Sequence, residues 1–132
     1  MPAKVVDASA VAALLFVEGE ADFIAREFGD ADLIAPALLN FEVANVCLKK
    51  IRTRHAERET LLQAFAQLRE MAITTMDIAH DEALELAERT GLSVYDASYL
   101  WLALEMNADL VTLDKRLATV AAQLAGQANA PR

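Results

Sequence analysis

Short apolar runs alternate along the chain with longer segments in which apolar residues recur at helical spacing. The short runs predict strands at residues 4–7, 32–35, 72–76 and 109–112. The longer segments predict helices at residues 8–17, 20–28, 36–54, 56–71, 77–90, 94–107 and 114–124. Because two helices separate each strand from the next, crossovers should join the strands into a short, mainly parallel sheet covered by helices on both faces.

Few residues interrupt this pattern. The chain has 132 residues with only four Gly and three Pro, which do not cluster, and no internal repeat is visible. Gly29 and Gly91 follow helical segments as stop signals, and Pro36 suits the first turn of the long helix at 36–54. A single α/β domain over residues 1–132 is therefore predicted, with a small, polar tail from about residue 125 that is expected to fray.

The composition indicates a folded protein with an acidic surface. Hydrophobic residues make up 55% of the chain, enough to bury a core. Lys and Arg number 12 against 20 Asp and Glu, which gives a formal net charge of −8. At first sight this acid excess disfavours a polyanionic partner, because nucleic-acid-binding proteins usually present a basic face.

The cysteine content and the N-terminal segment disfavour a disulfide-bonded, zinc-binding or membrane protein. One cysteine, Cys47, and two histidines provide neither an internal disulfide nor a Cys/His zinc site. The apolar stretch at 8–17 ends at Glu18, well short of the roughly 20 residues that span a bilayer. No signal-peptide pattern precedes it. The sequence predicts a cytoplasmic protein without a membrane segment, with Cys47 reduced and buried.

Two acids follow predicted strands. Asp7 ends the first strand, and Asp114 lies two residues after Thr112 at the end of the last one. In a parallel sheet, ligands bind beyond the carboxyl ends of the strands, so both acids are expected at that edge. Each is equally consistent with a local role as the N-cap of the helix that follows.

Two further acids, Glu42 and Asp96, interrupt apolar helix faces. Each has leucine or valine one turn before it and one turn after it. A carboxylate that faces a core costs several kcal/mol unless it is paired or bound to a metal. Glu42 can also be interpreted as an exposed mid-helix residue, and Asp96 as a helix cap.

Taken together, the four acids favour a shared metal site over four separate local roles. Oxygen ligands without Cys or His select Mg²⁺, with Mn²⁺ as a substitute. Such a site can activate water for attack on a phosphodiester. Ser9 and Thr112 place hydroxyls near the strand-end acids, where they either hold a carboxylate or act as local turn donors.

The residues around these acids form four blocks in a fixed order. They are Val-Val-Asp-Ala-Ser-Ala at 5–10, Leu-Asn-Phe-Glu-Val-Ala-Asn-Val at 39–46, Leu-Ser-Val-Tyr-Asp-Ala-Ser-Tyr at 92–99 and Leu-Val-Thr-Leu-Asp-Lys-Arg-Leu at 110–117. Together they resemble the PIN-domain ribonucleases, and in particular the VapC toxins of type II toxin–antitoxin modules. The resemblance spans about residues 4–120.

This resemblance implies an α/β/α sandwich in which Asp7, Glu42, Asp96 and Asp114 bind Mg²⁺ and are catalytic. It implies metal-dependent endonucleolytic cleavage of RNA, leaving a 5′-phosphate and a 3′-hydroxyl, and inhibition by a VapB-like antitoxin. It also implies a homodimer. The apolar helix at 94–107, which carries Tyr99 and Trp101, is expected to pack in the core or to form a dimer face.

Basic residues cluster at the end of the helix that carries Glu42. Lys49, Lys50, Arg52 and Arg54 lie in this stretch, and Lys115 and Arg116 follow Asp114. We expect these residues to contact RNA phosphates. The alternative is a solvated, charged turn that complements the helix dipole.

Three other functions are less consistent with the sequence. A signalling receiver domain requires a pair of acids after the first strand, whereas Asp7 is followed by Ala8 and Ser9. A phosphatase with an Asp-x-Asp nucleophile lacks its second acid, because Ser9 stands there. An inactive scaffold of the same fold is disfavoured by the presence of all four acids, and stays open.

Overall fold

The computed structural model describes the backbone of residues 2–129 and the side chains of residues 2–125. Within these residues the chain forms four strands, β1 (Ala3–Val6), β2 (Asp32–Pro36), β3 (Thr74–Met76) and β4 (Asp109–Val111). Its α-helices within the same residues are α1 (Ala8–Leu15), α2 (Ala21–Phe28), α3 (Leu39–Thr53), α4 (Arg58–Ala66), α5 (His80–Thr90), α6 (Val94–Glu105) and α7 (Lys115–Asn129).

The strands form one sheet in the order β3-β2-β1-β4, and each neighbouring pair is parallel. β1 lies at the centre, with Val5 paired with Ile34 of β2 and with Leu110 of β4. The predicted α/β fold with a parallel sheet is confirmed. Because β1 and β4 are parallel neighbours, their carboxyl ends, which lead into Asp7 and Asp114, lie at the same edge.

Helices cover both faces of the sheet. Val5 and Val6 are consecutive in β1 and so point to opposite faces, yet both are fully buried. The main core packs the β1 valines with side chains of α1, α3 and α6, among them Val11, Leu39 and Leu102. A second cluster joins α5, α6 and α7 through side chains such as Leu86 and Leu117.

Some element boundaries differ from the sequence prediction. Pro36 is the last residue of β2, and α3 begins at Leu39 instead of at 36. The fixed φ of proline suits an extended strand end as well as a first helical turn, and the pairing of Pro36 with Met76 of β3 selects the strand. The helix predicted at 77–90 likewise begins later, at His80.

The helix predicted at 56–71 is divided. α4 covers only Arg58–Ala66, and 3-10 turns at His55–Glu57 and Gln67–Met71 flank it. At the other end of the chain, α7 continues to Asn129, where fraying was expected from about 125. The rest of that predicted tail, residues 130–132, lies outside the described residues.

Cys47 is buried as predicted, and its Sγ donates to the carbonyl oxygen of Leu61 at 3.6 Å. This contact joins α3 to α4. In the part of the chain that the structure describes, no helix is long and apolar enough to cross a bilayer.

Candidate active site

Asp7 lies at the junction of β1 and α1 and is the N-cap of that helix. Its Oδ1 accepts the backbone N–H of Ala10 at 3.0 Å and the hydroxyl of Ser9 at 2.7 Å. Its Oδ2 accepts the hydroxyl of Thr112. The carboxyl group is 6% exposed, so hydrogen bonds hold it rigidly in a nearly dry position.

The two hydroxyls that hold Asp7 also bind the end of β4. Ser9 Oγ accepts the backbone N–H of Leu113 at 2.9 Å, and Thr112 Oγ1 accepts that of Asp114 at 3.0 Å. Of the two roles left open by the sequence, Ser9 and Thr112 therefore hold a carboxylate. They connect two strand ends that are about a hundred residues apart in the chain.

Asp114 has the capping role considered for it and also lies near other acids. Its Oδ1 accepts the backbone N–H of Leu117 at 2.9 Å, which caps α7. Its side chain is exposed, and its charge acts on both Asp7 and Asp96. Capping uses one oxygen and leaves Oδ2 with lone pairs for another ligand.

Glu42 lies in the first turn of α3 and is partly buried. Its Oε1 accepts a 2.6 Å hydrogen bond from the hydroxyl of Tyr99 on α6. The interpretation of Glu42 as an ordinary exposed helix residue does not fit this contact. The start of α3 at Leu39 places Glu42 early enough in the helix to reach the sheet edge.

Asp96 is not the cap of its helix. Ser93 caps α6, since its Oγ accepts the backbone N–H of Asp96 at 3.1 Å. Among the described residues, no hydrogen bond to the carboxylate of Asp96 is found. With the cap supplied by Ser93, both of its oxygens are available to a ligand.

The four acids repel one another. Burial is the largest cause that raises the pKa of Asp7, and the charge of Asp114 adds to it. Burial also raises the pKa of Glu42, followed by the charges of Asp96 and Asp7. The pKa of Asp96 is raised by burial, then by Asp114 and Asp7, with Arg116 opposing. Asp7, Glu42 and Asp96 thus lie near enough for their charges to act on one another, and Asp114 acts on Asp7 and Asp96.

Cations do little to offset this charge. Of the basic residues in the described part of the chain, Arg116 is the one that lowers the pKa of a cluster acid, Asp96. Its Nη2 donates to the carbonyl oxygen of Gly91 at 2.8 Å. The described residues contain a single carboxylate ion pair, Lys50 with Glu18, and it lies outside the cluster.

The donor chemistry fits a hard divalent cation. All four side chains offer oxygen, and each keeps lone pairs after its hydrogen bonds within the protein. No three His, Cys, Asp or Glu side chains within the described residues lie close enough together to ligate one ion directly. Mg²⁺ commonly takes one or two carboxylates and keeps several waters, so the arrangement fits it with the remaining acids acting through water.

An apolar cleft opens beside the acids. It has a volume of about 360 Å³ and is lined by Leu38, Phe41, Glu42, Asn45 and Tyr95. Phe41 is 82% exposed and Tyr95 66% exposed, and each directly precedes an acid of the cluster. The cluster is therefore open to a large substrate on the side where α3 and α6 begin.

The predicted RNA-contacting residues have different surroundings. Lys49, Arg52 and Arg54 are exposed near the end of α3. Lys50 instead pairs with Glu18 at 2.6 Å and lies over the ring of Phe16. Exposed Lys115 and Arg116 begin α7 directly after Asp114. Lys50 is thus less accessible to a phosphate than its neighbours.

Tyr99 contacts a site residue, although the sequence analysis assigned it only to core packing or to a dimer face. It is 1% exposed, and its ring packs in the main core as expected for this helix. The missed feature is its hydroxyl, which needs a partner when buried. Tyr99 follows Asp96 by three residues, hence on the same helix face, and this spacing was the available signal.

The sequence profile of the PIN domain family matches residues 4–123. This chain belongs to the PIN domain family.

Alignments with proteins named VapC extend over most of this chain. Ribonuclease VapC3 of Pyrobaculum aerophilum is 34% identical over 119 residues, which cover 86% of this chain and 91% of that protein. Ribonuclease VapC9 of Mycobacterium tuberculosis is 36% identical over 134 residues, with 96% and 94% covered.

A solved structure shares the fold. The crystal structure of PAE2754 from Pyrobaculum aerophilum has a TM-score of 0.72, with 24% sequence identity, and the match covers 96% of this chain and 97% of that one. The two chains therefore share a fold over almost their whole length.

Proposed function

We propose that this protein is an endoribonuclease and the toxin of a VapBC-type module, and that its activity depends on Mg²⁺ or Mn²⁺. The acids Asp7, Glu42, Asp96 and Asp114 would hold the metal directly or through water. Family membership and the VapC ribonuclease relatives support the reaction class.

One observation carries the metal dependence. Acidic side chains whose charges repel one another lie at the carboxyl edge of a parallel sheet, and of the described basic residues Arg116 is the one that lowers the pKa of such an acid, Asp96. Like charges held this close in a partly dry site are costly unless a cation joins them. The protein holds Asp7 in place through Ser9 and Thr112 in spite of that cost, which is expected of a site built to receive a cation.

Each acid would contribute in its own way. A bound Mg²⁺ would supply positive charge that activates water and stabilises the phosphate during cleavage. Asp7 is the rigid anchor, since three donors fix both its oxygens. Asp96 is free to orient toward water or substrate because Ser93 has taken over capping. Hydrolysis would leave a 5′-phosphate and a 3′-hydroxyl.

The RNA phosphates would contact local basic residues on an otherwise acidic surface. Lys115 and Arg116 lie next to Asp114, and Lys49, Arg52 and Arg54 are exposed near the end of α3. Four of the 20 acids belong to the proposed site, so a bound cation reduces the repulsion that RNA meets there. We propose a cytoplasmic location, where the RNA substrate would be available.

The partners follow from the same proposal. A VapB-like antitoxin would inhibit the enzyme, and a basic segment in it would complement the four carboxylates. For a homodimer, the support is that the exposed apolar side chains of Phe41 and Tyr95 line one cleft, because exposed apolar patches mark interaction sites.

The test is cleavage of end-labelled RNA by the purified protein with Mg²⁺, Mn²⁺ or EDTA. We expect cleavage with either metal and none with EDTA. Asp96→Asn and Glu42→Gln should reduce the rate by at least about 100-fold, because each removes a proposed ligand. Asp22→Asn and Glu88→Gln are matched controls at exposed positions and should cleave normally. Cleavage that persists in EDTA and in Asp96→Asn would contradict the proposal.

A further inference from the structure

Glu42 lies on α3, whereas the other three acids follow strands or lie on a helix that packs directly against the sheet. Asp7 and Asp114 follow β1 and β4, and Asp96 lies on α6, which packs against β1, β2 and β4. The helix α3 that carries Glu42 packs instead mainly against α1 and α4. The sheet therefore does not by itself place Glu42 relative to its partners.

Tyr99 connects Glu42 on α3 to the helix that carries Asp96. It lies on α6, the helix of Asp96, and its buried hydroxyl donates to Oε1 of Glu42 at 2.6 Å. The two residues are 57 positions apart in the sequence. This contact is a side-chain hydrogen bond that directly joins an acid of α3 to the helix seated on the sheet.

We propose that Tyr99 is a positioning residue for the metal site, holding Oε1 of Glu42 so that Oε2 is presented to the cation. The inference rests on the proposed function, since it takes Glu42 as a metal ligand. A glutamate side chain has several rotamers and loses much entropy when fixed. Glu42 also borders the open cleft beside Phe41 and Asn45, where an untethered carboxylate has room to turn to solvent.

The hydroxyl, as distinct from the ring, is predicted to matter. The ring of Tyr99 packs in the main core, and phenylalanine retains that packing. Tyr99→Phe therefore removes the tether alone. Thr119→Val provides a control, because it removes a hydroxyl that only donates to the Lys115 carbonyl in an exposed part of α7.

The experiment measures Mn²⁺ binding by calorimetry and by electron paramagnetic resonance, without RNA. It uses the wild type, Tyr99→Phe, Glu42→Gln, the double variant and Thr119→Val. We expect Tyr99→Phe to weaken Mn²⁺ binding by about tenfold, as loss of a group that orients a ligand does. Thr119→Val should bind as the wild type does. The double variant should bind like Glu42→Gln alone, because Tyr99 acts only through Glu42.

A second readout concerns catalysis. Raising the Mg²⁺ concentration should restore RNA cleavage by Tyr99→Phe, because the ligand is displaced and not removed. It should not restore Glu42→Gln to the same extent. Circular dichroism on each variant should show native helix content, so that weakened binding reports the site and not unfolding.

Failure of this inference can be distinguished from failure of the proposed function. A wild type that binds no Mn²⁺ and cleaves no RNA overturns both. A wild type that does both, with Tyr99→Phe equal to it in Mn²⁺ affinity, overturns the role of Tyr99 alone. Additive effects in the double variant, or an equal loss in Thr119→Val, also overturn it.

Discussion

The hydroxyl of Thr112 donates to Oδ2 of Asp7, which is 105 positions away in the sequence. The Oγ1 of Thr112 also accepts the backbone N–H of Asp114. One side chain thus holds the buried acid after β1 and shapes the turn that presents the acid after β4. It can do so because β1 and β4 are hydrogen-bonded parallel neighbours whose ends coincide. The relative position of Asp7 and Asp114 depends on this threonine.

Thr112→Val should destabilise the protein by about 1–3 kcal/mol. Valine keeps the shape but removes the donor to a buried carboxylate and the acceptor for Asp114, which leaves polar groups unsatisfied. The free energy of unfolding in urea measures this. Thr119→Val is the control, since the hydroxyl of Thr119 only donates to the Lys115 carbonyl in an exposed part of α7. Equal stability of the two variants would show that the link to Asp7 contributes nothing.

Asp7→Asn should stabilise the metal-free protein at pH 7, by about 0.5–2 kcal/mol, the usual range of stabilising substitutions. Burial raises the pKa of Asp7, so the folded state keeps its proton to a higher pH than the unfolded state. The contribution of Asp7 to stability is then greatest below the unfolded pKa, about 3.9, and is lost as pH rises through the folded pKa.

The advantage of Asp7→Asn should accordingly disappear as the pH falls to about 4, near that unfolded pKa. Thermal unfolding in EDTA at several pH values measures it. Asp22→Asn, at an exposed position, should show no such gain. A gain for Asp7→Asn that stays constant with pH would mean that its charge is not the cause.

Neutralising Lys49 and Arg52 together should weaken RNA binding and flatten its salt dependence. Both are exposed and one turn apart on α3, whereas Lys50 is engaged by Glu18 and is left unchanged. Each lost phosphate contact should reduce the slope of log K against log salt by about 0.7 for single-stranded RNA.

Binding should be measured in an Asp96→Asn background, so that the RNA is not cut. The matched control is Arg26→Gln with Arg89→Gln, which removes the same charge from exposed sites on α2 and α5. If both pairs lower the slope equally, net charge and not a local RNA contact explains the effect.

Gly91→Ala should destabilise the fold and also disturb the acid cluster. Gly91 ends α5 with φ of +76°, and a Cβ there would lie 2.8 Å from Nη2 of Arg116. The left-handed conformation costs a non-glycine residue about 1–2 kcal/mol. Displacing Arg116 should also raise the pKa of Asp96, whose charge it offsets.

Gly29→Ala is the control for Gly91→Ala. Gly29 has φ of +49°, but a Cβ there meets only the Arg26 carbonyl, at an ordinary 3.7 Å. Both variants should lose stability in urea, and only Gly91→Ala should shift the titration of Asp96 followed by NMR. A shift in both, or in neither, would show that Arg116 does not act on Asp96 through this contact.

Much of the fold was predictable because each strand and helix is indicated by a hydrophobic pattern within its own short segment. Apolar runs such as that containing Val5 and Val6 indicate buried strands wherever helices intervene. Boundaries were less predictable where one residue suits two conformations. Pro36 is the example, because only its pairing with Met76 selects the strand.

The sequence by itself determined the order of elements and singled out four acids, two that follow strands and two that interrupt apolar helix faces. It could do so because periodicity and residue type are local properties of a chain. Only the tertiary structure decided how those acids are held. Ser93 caps α6 and leaves Asp96 available, Thr112 reaches Asp7 from the neighbouring strand, and Tyr99 holds Glu42 from another helix. The last two are contacts between segments far apart in the chain, and hydrogen bonds of that kind exist only once the strands and helices have packed.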